Sequence, residues 1–562
     1  MSPHGRARAH AVAGNRATSA AAATTSARRA RAAPLAATAS HSLDLGLVAA
    51  GLVLLALTAL VWRGALSYYF SQDDFAGLAR ARGLLPRVDG PVRWLSHQAF
   101  WDLMRPFGIA SAWPYHLLSL GAHGACAVVL FLMLARRYHR AAAFLAAAFF
   151  ATHPMLFTAL HWVSAIGDPL ALLFALLALD RALGTRGRLW AWPLFALSLL
   201  AKESCLLLPL VVWAHQRYGA PADRAAARPR RARTDTAAHG LHSPLVVTAG
   251  LWVIALAATI LLAAESYGPE VRRALAGTPV GVASPYALGG AGAVLANALT
   301  YLGWTVNLWL PTVRGFSDAV DRSVWPWAAG ALALFAAGLC VRPLRERGWI
   351  AAGVTYAAFL LPVLPLANHT YHYYMAAALA GMAWGLAVAA DAGLAWAGAG
   401  RRSWAWAAAG ALAATFALNG GALERKIEMA PFAIAGLRAD PIVDRARIAW
   451  NVFETIRAEP VPTGSTLVFW SPFATNASQG ADSSTLAAAR ETYATTNLRA
   501  ALLDGLAVRV MFPGLRSVSF ASPRTHPVEP ARIALYGPSG RVKLFTVAEI
   551  DSFAALAAVV SH

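Results

Sequence analysis

Long apolar runs separated by short polar stretches occupy most of the chain, beginning with one from about Leu43 to Leu66. A helix needs roughly 20 apolar residues to cross a bilayer core. Runs of this kind recur at about 113–135, 141–158, 165–183, 188–201, 203–216, 244–264, 289–311, 325–341, 348–366, 373–394 and 402–419, twelve with the first. Several are short, so the pattern predicts about ten to twelve transmembrane helices. From about Glu424 the text becomes soluble in character. It offers a charged helix over Ile442 to Arg457 and a strand at Ser465 to Trp470. A strand pair follows at Arg532 to Tyr536 and Arg541 to Thr546, joined by the turn sequence Gly537-Pro538-Ser539-Gly540. The expected fold class is an all-α polytopic membrane domain over 43–420 with a small C-terminal α/β extramembrane domain over 425–562.

Composition strengthens this reading: 58% of the 562 residues are hydrophobic and 14% charged, and the mean hydropathy is +0.49. No soluble domain buries that much apolar surface. The net charge of +20 would suit a nucleic-acid partner, but the arginines are dispersed through the tail and short loops, where Lys and Arg mark the cytoplasmic side. Membrane lipids, not nucleic acid, are the expected partner of that charge. Residues 1–42 carry six arginines and no acid, lack periodicity and are expected to form a disordered basic cytoplasmic tail. No hydrophobic run lies close behind Arg28-Arg29, so the first span is expected to be an uncleaved signal anchor. The first loop, about 67–112, then lies outside, and so does the C-terminal domain, provided one segment within 265–324 is re-entrant and does not span. Cys126, Cys205 and Cys340 are scattered through apolar runs, with neither disulfide nor metal spacing.

Candidate chemistry gathers in the expected outer loops. Asp73 and Asp74 follow the first span directly. An aspartate there can accept a proton from a hydroxyl or hold a divalent cation such as Mg or Mn, while Arg105 can fork onto a phosphate. The blander reading is that one of the pair caps a helix. In the second outer loop His153 and His161 are candidates for substrate contact, although Pro154 prevents them from sharing one helical face, and Asp168 fits a helix cap. Lys202-Glu203 interrupts the apolar stretch from Leu194 to Leu210. Ionisable residues at such a place are functional candidates, here for a lipid-linked phosphate, or else a pair that compensates itself. Asn368-His369-Thr370-Tyr371-His372-Tyr373-Tyr374 mixes interfacial tyrosines with His369 and His372, which suit sugar hydroxyls or a diphosphate.

The order of these elements carries a resemblance. Asp73-Asp74, Arg105-Pro106-Phe107, Trp113-Pro114-Tyr115-His116-Leu117-Leu118-Ser119-Leu120 with His123, Phe149 to Pro154, His161-Trp162-Val163-Ser164 and Leu200-Ala201-Lys202-Glu203-Ser204 together resemble the C-type (GT-C) fold of integral membrane glycosyltransferases. Within it they are similar to the protein O-mannosyltransferase group and related bacterial membrane enzymes. The resemblance spans about 43–420. It implies inverting transfer of a sugar from a polyprenyl-phosphate donor to a protein, lipid or glycan acceptor at the outer face of a bacterial inner membrane. Asp73 and Asp74 match the family's catalytic or metal-binding acid. Arg105 matches its Arg-Pro element, and Lys202 and Glu203 its Lys-Glu element. His153, His161, His369, Tyr371 and His372 stand as further donor or substrate contacts. Where many relatives carry an acidic and basic pair before tyrosines, this chain reads Asn368-His369-Thr370-Tyr371, and tetratricopeptide repeats are absent after the last apolar run. The competing class is a polytopic transporter or flippase. No internal repeat supports it, and the polar residues concentrate on one face. A third class, an assembly protein merely anchored by its spans, would not need so many of them.

Overall fold

Backbone amides have no water to bond in a bilayer core, so apolar runs there must satisfy their own hydrogen bonds as helices. The computed structural model describes residues 44–185, 187–219, 243–267, 288–308, 320–367, 369–397, 402–429, 440–470, 496–520, 531–536 and 541–550. The apolar runs become helices α1 (Leu45–Val61), α3 (Trp113–Ala135), α4 (Arg140–Ala151), α5 (Gly167–Leu183), α6 (Ala191–Ala201), α7 (Leu208–Tyr218), α8 (Pro244–Leu262), α9 (Ala291–Val306), α10 (Trp325–Cys340), α11 (Trp349–Leu360), α12 (Ala378–Trp396) and α13 (Arg402–Met429), with the short loop helix α2 at Asp74–Ala81. Among the described residues, six helices are long and apolar enough to cross a membrane. A seventh span arises if α4 and the helical segment Pro154–His161, bent by 43°, count together, and Leu45–Val61, Arg188–Ala201 and Trp349–Val363 are shorter apolar helices. The chain is an integral membrane protein, mostly helical. The N-terminal tail, the 220–242 loop and part of 265–324 lie outside the described residues, as do Asn368 and the turn at 537–540.

Up to Val48 the described chain is only the beginning of α1, and everything from Ala49 onward belongs to one compact unit. Two breaks in the helical body matter for the site. Pro154 cannot donate to a preceding carbonyl, and the bend at α4 follows. Lys202 is extended (φ −167°, ψ 149°), so α6 stops at Ala201 and α7 begins only at Leu208. Lys202 and Glu203 therefore sit at a gap between two short helices and not within one span. Helix α13 runs past the end of its apolar block to Met429, carrying Glu424 and Glu428 on its last turns.

The C-terminal region begins with α14 (Pro441–Ala458), capped by Asp440, whose carboxylate accepts from the backbone amides of Ile442 (2.8 Å) and Val443 (3.3 Å). Its sheet comprises β1 (Thr466–Trp470), β2 (Ser517–Phe520), β3 (Ala531–Tyr536) and β4 (Val542–Thr546), in the order β2-β1-β3-β4. Strands β1, β2 and β3 are parallel, and β4 closes an antiparallel hairpin with β3 in which Ile533 faces Phe545. The hairpin and β1 match the sequence expectation. Strand β2 is additional: Ser-Val-Ser-Phe is too short and polar to stand out by alternation. One hydrophobic core joins this domain to the first loop, with Phe70, Phe75, Phe100 and Trp101 packing with Val452, Phe453, Leu467 and Phe469.

Candidate active site

Where the first loop, the α6–α7 gap, the loop before α12 and helix α14 meet, they enclose a cavity of about 600 Å3, within the range of small-molecule sites. Helix α2 supplies one wall. Asp73, Ala76, Gly77 and Arg80 all line it, the spacing of one helical face. Asp74 is rotated by a residue onto the opposite face, among Phe75, Leu78 and Ala79, and is fully buried. Its two oxygens accept from the amides of Ser71 (2.9 Å) and Ser164 (2.7 Å) and from the Ser164 hydroxyl (2.6 Å). The two neighbouring acids thus do different work. Asp73 makes no capping hydrogen bond with its side chain and faces the cavity, whereas Asp74 ties the loop to Ser164. This geometry corrects the expectation of a shared chelate on Asp73 and Asp74, because Asp74's oxygens are committed.

The opposite walls are cationic and aromatic. Arg93 forks onto Glu203, with Nε at 2.8 Å from one oxygen and Nη2 closing on the other. Lys202 donates to Asp168 at 2.7 Å and lies over the rings of Tyr373 (4.7 Å) and Tyr374 (5.2 Å). The Lys202-Glu203 pair therefore does not compensate itself: each residue has its own partner, and Asp168 serves as that partner. From α14, Arg445 reaches in to donate to Gln72 (2.6 Å) and Asn497 (2.8 Å). Gln72 (φ 53°) and Arg93 (φ 54°) both hold left-handed backbone that side chains other than glycine rarely adopt. Such strain gathers at functional sites, held in place by the surrounding structure. Gly77 is required by packing: a Cβ there would stand 2.1 Å from the Trp101 ring.

His369 and Tyr371 line the cavity with Trp162, Tyr373 and Tyr374. Asn297 of α9 fixes their loop, donating to the carbonyls of Leu364 and Leu366 (both 2.9 Å) and accepting from Thr370 (2.8 Å). Burial raises the Asp73 carboxyl above the ordinary range, with Arg80, Arg445 and Arg93 pulling against it. His97 is pushed down to about 4 by desolvation and by Arg93 and Arg80, so it is neutral at pH 7.

Asp73, Lys202, His369 and Tyr371 are thus brought together, with Glu203 behind Arg93. Four other candidates lie off the cavity. Arg105 is exposed on a short turn between Met104 and Gly108. His153 bonds the carbonyl of Thr305 at 3.0 Å in the interior. His161 is buried against Glu424, and His372 packs on Trp304 at 4.1 Å between ring centres. His153 and His161 bond backbone carbonyls of packed helices, His372 packs on a ring, and none of the three lines the cavity. Arg80 and Arg445 were not among the sequence candidates. The seven-residue spacing from Asp73 could have pointed to Arg80, whereas nothing local marks Arg445.

No protein-family model matches the chain, and no curated protein matches it. Among solved structures, it is similar to the crystal structure of ArnT from Cupriavidus metallidurans bound to undecaprenyl phosphate, at 13% sequence identity and a TM-score of 0.42, over 91% of this chain and 94% of that one.

Proposed function

We propose that the protein is a C-type membrane glycosyltransferase that passes a sugar from a polyprenyl-phosphate donor to an acceptor hydroxyl at the outer face of the membrane. The observation that carries this reading is the convergence of one unshared carboxylate, Asp73, with Arg80, Arg93, Lys202 and Arg445 in a single cavity walled by aromatic rings. Asp73 accepts the acceptor's proton as the acceptor oxygen bonds to the anomeric carbon. The bond from that carbon to the phosphate oxygen breaks with its electron pair on the phosphate, where the guanidinium groups and Lys202 offset the developing charge. Tyr371, Tyr373 and Trp162 offer flat apolar faces for the sugar ring.

An apolar groove supports a lipid-linked donor. Leu199 and Leu200 of α6 and Ile254, Ala258 and Leu261 of α8 line about 250 Å3 whose one charged wall residue is Glu203, the partner of Arg93. A phosphate at Arg93 and an isoprenoid tail in this groove place an amphiphile across the Arg93–Glu203 pair. A Mg or Mn ion, if used, has only Asp73 of the aspartate pair available.

The test supplies purified protein in lipid nanodiscs with synthetic polyprenyl-phosphate hexose or pentose and a membrane extract as acceptor, and follows release of polyprenyl phosphate. Wild type should release it and Asp73→Asn should not, while inserting and melting normally. Undiminished release by Asp73→Asn would remove the proposal.

A further inference from the structure

The geometry points to a divalent transition-metal site outside the cavity, formed by His161, Glu424 and Glu428. Their ligand atoms all lie within 4.8 Å of one another, and one imidazole with two carboxylates is a donor set suited to zinc and its first-row neighbours. Three observations support it. First, His161 Nδ1 lies 2.9 Å from the carbonyl of Phe157. A carbonyl only accepts, so Nδ1 donates to it, and the ring's other nitrogen, Nε2, is aimed at Glu424 Oε1, 3.0 Å away. This nitrogen and the carboxylate oxygens of Glu424 and Glu428 converge as the ligand atoms of one cation-sized site. A carbonyl that fixes the tautomer from the far nitrogen is the usual support of a metal-bound histidine. Second, the Glu424 side chain is 7% exposed, and among the described residues neither Glu424 nor Glu428 pairs with a Lys or Arg. Two clustered carboxylates, one of them buried, favour a divalent counter-charge. Third, Gly64 makes room for the carboxylates: a Cβ there would meet Glu424 Oε1 at 2.7 Å and Glu428 Oε1 at 3.1 Å. Tyr68 donates to Glu428 at 3.2 Å and orients it.

The position gives the ion a structural role. Gly64 and Tyr68 precede Asp73 and follow α1, His161 precedes Trp162 and Ser164, and Glu424 and Glu428 end the helix that leads to α14 and Arg445. The ion joins two segments directly, and the third is tied to them by the Tyr68–Glu428 hydrogen bond. None of its ligands is among the residues that line the cavity.

The test is cobalt(II) titration of chelator-stripped full-length protein in detergent, which needs no glycosyl donor and is readable whether or not the proposed transfer activity holds. One equivalent should bind with visible absorption, zinc should displace it, and the melting temperature should fall in EDTA and recover with zinc. Glu428→Gln, at the partly exposed ligand, should weaken cobalt binding at least tenfold, and Asp73→Asn should leave it unchanged. No saturable binding by folded wild type, unchanged affinity in Glu428→Gln, or loss of binding in Asp73→Asn would each overturn the site and leave a bare imidazolium–carboxylate pair.

Discussion

The cavity and the groove lie on either side of one ion pair, and their walls have opposite chemistry. On one side stand Asp73, Arg80, Lys202 and Arg445, and on the other leucines, alanines and an isoleucine around Glu203. Arg93 and Val92 are adjacent in the chain yet line different spaces, because left-handed backbone at Arg93 turns its side chain away from its neighbour's surroundings. The contrast teaches that Arg93–Glu203 acts as a partition. A charged pair between helices is neutral enough to border apolar wall and still presents a guanidinium to an anion. The half-buried side chains (28% and 25% exposed) place it at this border and not in the deep interior.

Four perturbations probe that contrast, the first with the largest expected effect. Asp73→Asn should lower transfer by about 10²- to 10⁴-fold, the usual contribution of a positioned base, with unchanged melting temperature. An equal loss from Asp74→Asn with intact melting would spread the chemistry to both acids.

The second concerns the back of the cavity wall. Burial raises the Asp74 carboxyl to about 7, against the Ser164 and Ser71 hydrogen bonds that hold it down. The folded state therefore binds a proton that the unfolded chain has released. Between about pH 4 and 7 stability should fall as pH rises, by about 2 kcal/mol from pH 5 to 8. Urea or thermal melts at both values check the slope, which Asp74→Asn should flatten.

The third perturbation opens the partition. Glu203→Gln should raise KM for a polyprenyl-phosphate donor about tenfold, one unit of charge-assisted hydrogen bonding, while Arg93→Gln lowers kcat as well. The smallest effect belongs to the groove. Ala258→Trp fills it and should raise KM a few-fold for a long-chain donor while sparing a short-chain one. Equal effects on both would assign the groove to helix packing alone.

The sequence displayed the helices of the membrane body, the soluble C-terminal domain with its hairpin, and the conspicuous acid pair after the first span. These are local or compositional facts: desolvation makes an apolar run helical wherever it packs, and a Gly-Pro-Ser-Gly turn pairs its flanking strands. The sequence left open which aspartate faces the cavity, although the 3.6-residue period separates Asp73, Gly77 and Arg80 from Asp74 and Leu78. It drew attention to His153 and His372, which do not line the cavity, because a histidine looks the same in the sequence whether it faces a cavity or packs against a carbonyl or a ring. It offered no hint of Asn297, which fixes the His369–Tyr374 loop.

What the chain determined by itself was the set of elements and the chemical groups available. What only the tertiary structure decided was their company: Arg445 beside Gln72, 373 positions away, Lys202 on Asp168, Glu203 on Arg93, and His161 against Glu424. Hydrophobic periodicity encodes which face of an element is buried, but not which distant partner covers it. That choice belongs to the packing of the whole, where each buried charge must find its counter-charge.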